Sequence, residues 1–184
     1  MKTLKPLTLQ EANENSQVIL NAVKGKIGMV PNLYAAMGNS DKLLGGFLTF
    51  TETLKSGEFT AKEYEAIALA TSQANGCAYC LSAHTAIGKM NGFTEEETLQ
   101  LRSNEIADTK LNALVTLVSE VVNKKGHPTQ NAIDNFFIAG YTKTAFAELI
   151  GAVALTTITN TIYHNGEFEI DFPKAQNIEQ LQEA

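Results

Sequence analysis

The sequence predicts an all-α protein of about seven or eight short to medium helices, and three observations lead there. Thr8/Glu11, Thr60/Glu63 and Thr94/Glu97 each have the spacing of a capping box, in which Thr and Glu side chains satisfy orphan amides at a helix start. Behind these starts, apolar residues recur at the i, i+3, i+4 spacing of one helix face. No stretch alternates apolar and polar residues as a half-buried strand does.

Taken in order, residues 8 to 44 read as helical with an extended break at Val30-Pro31, because a residue before proline is pushed out of the α region. Ser40 then caps a helix carrying Leu43, Leu44, Phe47 and Leu48. Residues 60–91 read as two helices joined at Asn75-Gly76. Leu111, Leu114, Val115, Val118, Val121 and Val122 form one buried face, and Gly126 and Pro128 mark its end. Phe146, Leu149, Ile150, Val153, Thr157, Ile158, Thr161 and Ile162 form a long stripe, wide enough to face both the core and a neighbouring subunit. Only the last ten or so residues read as frayed.

With 184 residues and 44% apolar content, the chain is long enough for one core, and no composition break suggests a second domain, so residues 1–184 read as one. Net charge −6 and a pI near 5.1 leave no basic face, which argues against nucleic acid and anionic membranes as partners. The first residues show no apolar signal-peptide core, and the cytoplasm is the expected compartment. The most apolar stretch, Ala145 to Tyr163, contains Glu148 with several Thr and Asn, and reads as a core helix rather than a membrane span.

Chemistry concentrates in EAIALATSQANGCAYCLSAH, which holds both cysteines of the chain. With Asn75-Gly76 as the turn, Cys77 begins a helix and Cys80 lies in its first turn, where unpaired amides and the macrodipole favour a thiolate. His84 follows Cys80 by four residues, one turn along the same face. Glu65 lies roughly 15 Å back from the turn along one helix and His84 roughly 12 Å along the other, at about 1.5 Å per residue. In an antiparallel hairpin those heights nearly match. Glu65 is thus set to orient His84, His84 to withdraw the proton of Cys80, and Cys77 to capture the oxidised sulfur.

Other readings stand beside this one. A structural disulfide closing so short a loop removes little unfolded-state entropy. Zinc would draw on Cys77, Cys80, His84 and Glu65 or His164, although structural zinc normally uses paired clusters. Thiol exchange would use Cys77, more exposed at the helix end, as the attacking sulfur, and a redox-sensing module would change assembly state instead of turning over substrate. Tyr79, between the cysteines, either packs or lines the pocket as a substrate contact. Phe47 and Phe50 line it only if their helix packs over the site. His127, in a Gly-His-Pro turn, reads as an exposed loop residue, and His164 as a helix C-terminal cap.

At Glu65, Cys77, Cys80 and His84 the chain resembles the alkylhydroperoxidase D-like branch of the carboxymuconolactone decarboxylase family, the peroxidase-related proteins. That branch is marked by a Glu, eleven residues, Cys-x-x-Cys, three residues and a His, and this sequence fits without a gap. GMVPNLYAAMGNSDKLLGGFL (28–48) and NTIYHNGEFEIDFP (160–173) are also similar to the branch, so nearly the whole chain is covered. The resemblance implies an all-α AhpD-like fold assembling as trimers or dimers of trimers. It further implies Cys80 as the peroxidatic sulfur with Cys77 resolving, a hydroperoxide substrate, electrons from a lipoyl or thioredoxin-like dithiol, and no prosthetic group. The family's hydroperoxidase carries a His before its second Cys, where this chain has Tyr79. Muconolactone decarboxylation is disfavoured, because the family's decarboxylases lack the redox Cys-x-x-Cys.

Overall fold

The computed structural model describes residues 3–178, in which nine α-helices and no strands are found. They are α1 (Glu14–Ile27), α2 (Asn32–Met37), α3 (Asp41–Lys55), α4 (Ala61–Ala74), α5 (Ala78–Met90), α6 (Glu95–Ser103), α7 (Thr109–Asn123), α8 (Gln130–Ile138) and α9 (Lys143–Asn165). The predicted all-α class holds, and the larger helix count includes elements as short as α2, whose six residues are too few to show a period.

α4 is the hub. Every residue from Glu63 to Ser72 is buried, and α7, α5, α9 and α6 surround it. A helix buried on all sides needs small residues where neighbours approach closely, and Ala66, Ala68 and Ala70 supply them. The main core joins Ile67 and Leu69 of α4 to Leu114, Leu117 and Val118 of α7, Phe136 of α8 and Leu149 of α9. A second cluster, Leu20, Met37, Leu44, Phe47 and Leu155, seats α1 to α3 on α9.

The predicted boxes at Thr60/Glu63 and Thr94/Glu97 cap α4 and α6 reciprocally. Ser40 caps α3 through Leu43 N, and the Val30-Pro31 break ends at α2, with Pro31 extended at its N-cap. Thr8/Glu11 makes the same side-chain bonds, yet they close only a turn, and α1 begins at Glu14, capped by Asn13, whose side chain accepts from Ser16 N. Tertiary anchoring overrides the local signal there: Leu7 N donates to Ala35 O, and Leu7, Leu9 and Ala12 pack into the second cluster.

By length and composition α9 is long enough to cross a membrane; 44% of its most apolar window is buried within the fold, where it packs against α4, α3 and α2. Its stripe splits: Leu149 and Val153 enter the core, while Ile150 is 51% exposed, and Thr157 and Thr161 also face outward. The expected terminal fraying does not begin where predicted. Ala175 N donates to Ser82 Oγ at 3.1 Å and Gln176 O accepts from Arg102 Nη1 at 2.7 Å, so that part is tied down. The rest of that expectation, from residue 179, falls outside the described residues.

Candidate functional site

The site is built on the α4–α5 hairpin. Gly76 adopts φ +65°, a left-handed conformation that suits glycine, and Cys77 N donates to Ser72 O to close the turn. Cys77 is the N-cap of α5, and its Sγ accepts from Cys80 N at 3.2 Å. The two sulfurs are joined as a disulfide, with Cα atoms 5.3 Å apart. Four residues on, the His84 Nδ1–H donates to Glu65 Oε2 at 2.7 Å across the hairpin. The matched heights expected of the two helices are found. Glu65 is buried and His84 partly exposed. With Nδ1 held as the donor, Nε2 of the neutral ring carries the free lone pair.

Burial of the sulfurs corrects one expectation. Cys77 is 0% and Cys80 2% exposed, so the first cysteine does not stand out at the helix end. They lie in a third apolar cluster with Leu33 and Tyr79, walled by Tyr34, Tyr163, Phe168 and Phe172. Phe47 and Phe50 do not line it: Phe47 belongs to the second cluster, and Phe50 is 43% exposed. Tyr79 is buried, and its hydroxyl donates to Asp171 Oδ1 at 2.6 Å while accepting from Leu33 N at 3.3 Å. Burial, then the bond to Asp171, pushes its pKa far up, so the phenol remains a donor across the accessible pH range. Burial and the nearby Glu65 carboxylate also raise Tyr64, to about 12, and Tyr34 moves up for the same two reasons.

α9 supplies the far wall, which sequence reasoning missed. Thr159 Oγ1 lies 3.8 Å from Cys80 Sγ and donates to Thr156 O at 2.7 Å. Asn160 bridges the hairpin, accepting from Asn75 Nδ2 at 2.8 Å and donating to Ser72 Oγ at 3.2 Å. The signal was a run of Thr and Asn inside the most apolar helix, read only as an argument against a membrane span. His164 is exposed and donates from Nε2 to Asn75 O at 2.9 Å, so it caps a carbonyl of the hairpin turn and not of its own helix. His127 is exposed, as expected.

The zinc set is not gathered. The sulfurs are bonded to each other, His84 Nδ1 is taken by Glu65, and among the described residues no group of three or more His, Cys, Asp and Glu is arranged to hold a metal.

Residues 42–119, which hold this hairpin, match the model of the carboxymuconolactone decarboxylase family. No curated protein matches the chain by sequence. Among solved structures, the chain is similar to the alkylhydroperoxidase AhpD core of an uncharacterized peroxidase-related protein from Ralstonia eutropha, with TM-score 0.77, 20% identity, and 97% of this chain and 96% of that one covered. A peroxidase-related protein from Silicibacter sp. superposes with TM-score 0.75 at 19% identity, over 94% and 93% of the two chains. The debrominase Bmp8 does so with TM-score 0.75 at 17% identity, over 98% and 96%. These likenesses establish the AhpD-like fold. Within this family setting, α9 and residues 166–176 lie outside the matched segment, yet they close the site around the sulfurs.

Proposed function

We propose that this carboxymuconolactone decarboxylase family protein is a thiol-dependent peroxidase working through Cys80 and Cys77. The observation that carries the reading is the 2.7 Å contact of Glu65 with His84, one turn from a paired Cys-x-x-C at a helix start. In the reduced enzyme, His84 Nε2 takes the Cys80 proton and Glu65 stabilises the imidazolium. The thiolate attacks the terminal, hydrogen-bearing oxygen of a hydroperoxide, the O–O bond breaks, and the alkoxide leaves as the alcohol with the proton from His84. The Cys80 sulfenic acid then condenses with the Cys77 thiol, releasing water and forming the disulfide. A dithiol of the lipoyl or thioredoxin-like class returns two electrons and two protons by exchange. No prosthetic group enters these steps, and the cytoplasm, rich in such reductants, is the proposed setting.

Peroxide consumption by the Cys80→Ser variant tests the assignment. We expect it to fall to the uncatalysed background, and turnover persisting in that variant would remove Cys80 from the role.

One observation favours a second reading, thiol exchange through Cys77. The Cys77 Sγ accepts the Cys80 amide at the start of α5, so a backbone donor faces this sulfur. Mixed disulfides trapped in Cys80→Ser but not in Cys77→Ser would favour exchange. The debrominase Bmp8 has also been solved in complex with 2,3,4-tribromopyrrole, so that brominated pyrrole joins the substrate panel.

Assembly of copies into trimers or dimers of trimers is part of the proposal. It is supported by the outward ridge of α9, where Ala147, Ile150, Ala154, Thr157 and Thr161 recur at alternating spacings of three and four residues beside the exposed Phe50.

A further inference from the structure

A disulfide that turns over must be reached by a reductant, yet both sulfurs are walled off. Three sides of the wall are helices: α2 contributes Leu33, α4 packs along α5, and α9 presents Thr159 and Tyr163. Each carries its own ladder of backbone hydrogen bonds and joins a larger core, so moving it would disrupt that core. The remaining side is residues 166–176, an extended segment with no helix or strand beyond a single bridge from Gly166 to Leu4. Phe168, Ile170 and Phe172 pack from this segment onto the sulfur cluster, and the Phe168 and Phe172 rings stand edge-on to Tyr79 at 5.6 and 5.7 Å.

The segment is fastened at separate points. Asp171 is bound on both oxygens, Oδ1 accepting from the Tyr79 hydroxyl at 2.6 Å and Oδ2 from Asn32 N at the start of α2 at 2.7 Å. Beyond it, Ala175 N and Gln176 O bond to α5 and α6 through Ser82 and Arg102. Side-chain fastenings of this kind open at far lower cost than a helix unfolds. The Tyr79 hydroxyl is therefore engaged by Asp171 of the covering segment and by the Leu33 amide at the start of α2.

We propose that residues 166–176 are a strap that gates access to the Cys77–Cys80 disulfide, with the Tyr79–Asp171 hydrogen bond as its latch. Release of the latch lets the aromatic side chains swing off the sulfurs and admits a dithiol. Tyr79 is a positioning residue for the strap, not a catalytic residue. The proposal rests on the redox role assigned above for its purpose, but access to the disulfide can be measured whether or not peroxide is the natural oxidant.

The test is the rate of disulfide opening by dithiothreitol, followed by thiol appearance, in wild type, Asp171→Ala and Tyr79→Phe. Reoxidation by diamide, a non-peroxide oxidant, is measured alongside. Loss of a bond to a charged acceptor should raise the opening rate about tenfold or more in both variants. Because a gate slows passage in both directions, reoxidation should accelerate as well. A variant with merely a weakened disulfide would open faster and reoxidise more slowly, and that outcome overturns the strap. So does an opening rate within about twofold of wild type. Tyr79→Phe keeps the ring in its aromatic cluster and Asp171→Ala leaves every ring in place, so if one fails to fold, the other still decides.

Discussion

Glu63 and Glu65 stand two residues apart on α4, and both are buried, at 8% and 3% exposure. Their surroundings differ. Glu63 is saturated: Thr60 donates through its amide and hydroxyl at 2.9 and 2.8 Å, the Tyr141 hydroxyl at 3.0 Å, and Lys110 Nζ stands 3.1 Å away. It ties a helix start to α7 and to the loop before α9. Glu65 has one hydrogen-bonded partner among the described residues, the His84 imidazole. A carboxylate whose lone pairs are all occupied by fixed donors is held in place and has nothing left to give. One that meets a single titratable ring orients that ring and would stabilise its charged form, the part assigned to Glu65 in the proposed mechanism. Position on the same buried helix does not separate the two; the count and kind of partners does.

That contrast can be broken by substitution. Glu65→Gln and His84→Asn should lower peroxide consumption by about 100-fold to 10,000-fold, the usual range for a positioned base and its orienting group, while thermal unfolding shifts little. A stopped-flow assay of the two variants against Cys80→Ser checks this, and near wild-type rates would take the pair out of the mechanism.

Glu63→Ala should do the reverse. It strands the buried Tyr141 hydroxyl and opens the Thr60 capping box, at a cost of about 2 to 3 kcal/mol in stability. Urea unfolding reads that loss, and activity per folded molecule should be unchanged.

pH sharpens the same comparison. Burial pushes the Glu63 carboxyl up, but hydrogen bonds from Thr60, Lys110 and Tyr141 outweigh it and hold the pKa below its ordinary value. A carboxyl lowered by folding stabilises the native state above its unfolded pKa, and that stability is lost as pH falls through the folded value. Wild type should therefore lose stability below about pH 4.5 more steeply than Glu63→Gln, as acid titrations of unfolding free energy would show.

The smallest effect is expected at the turn. Gly76→Ala puts a side chain on a left-handed residue and should cost about 1 to 2 kcal/mol, with the chemistry intact once folded. A shift in the urea midpoint without a change in slope reads it.

These two carboxylates also show what the sequence makes legible. Thr60 and Glu63 announce a helix start because a capping box is local, and Glu65 and His84 find each other because helix rise fixes their heights on either side of Asn75-Gly76. Four residues suffice for the first, and two helices with one turn between them for the second. The strap carries no period and no cap: Phe168, Ile170 and Phe172 alternate over too short a stretch, and their place depends on Tyr79 and Leu33, far away in sequence. Thr159 was hidden for a different reason. α9 is apolar on nearly every side, so its composition does not say which face turns inward; Asn160 and Thr159, through their contacts at the hairpin, mark the inward face. Thr8/Glu11 shows the limit of a local signal, since its box forms yet opens no helix.

The central claim is that Cys77 and Cys80 form a peroxide-reactive pair, and a free-thiol count on the fully reduced protein before and after one equivalent of cumene hydroperoxide tests it most directly, with intact mass to identify the product. The account predicts the loss of both thiols and of two hydrogens per chain, at a rate far above that of free cysteine. Both thiols persisting in the presence of the hydroperoxide would contradict it.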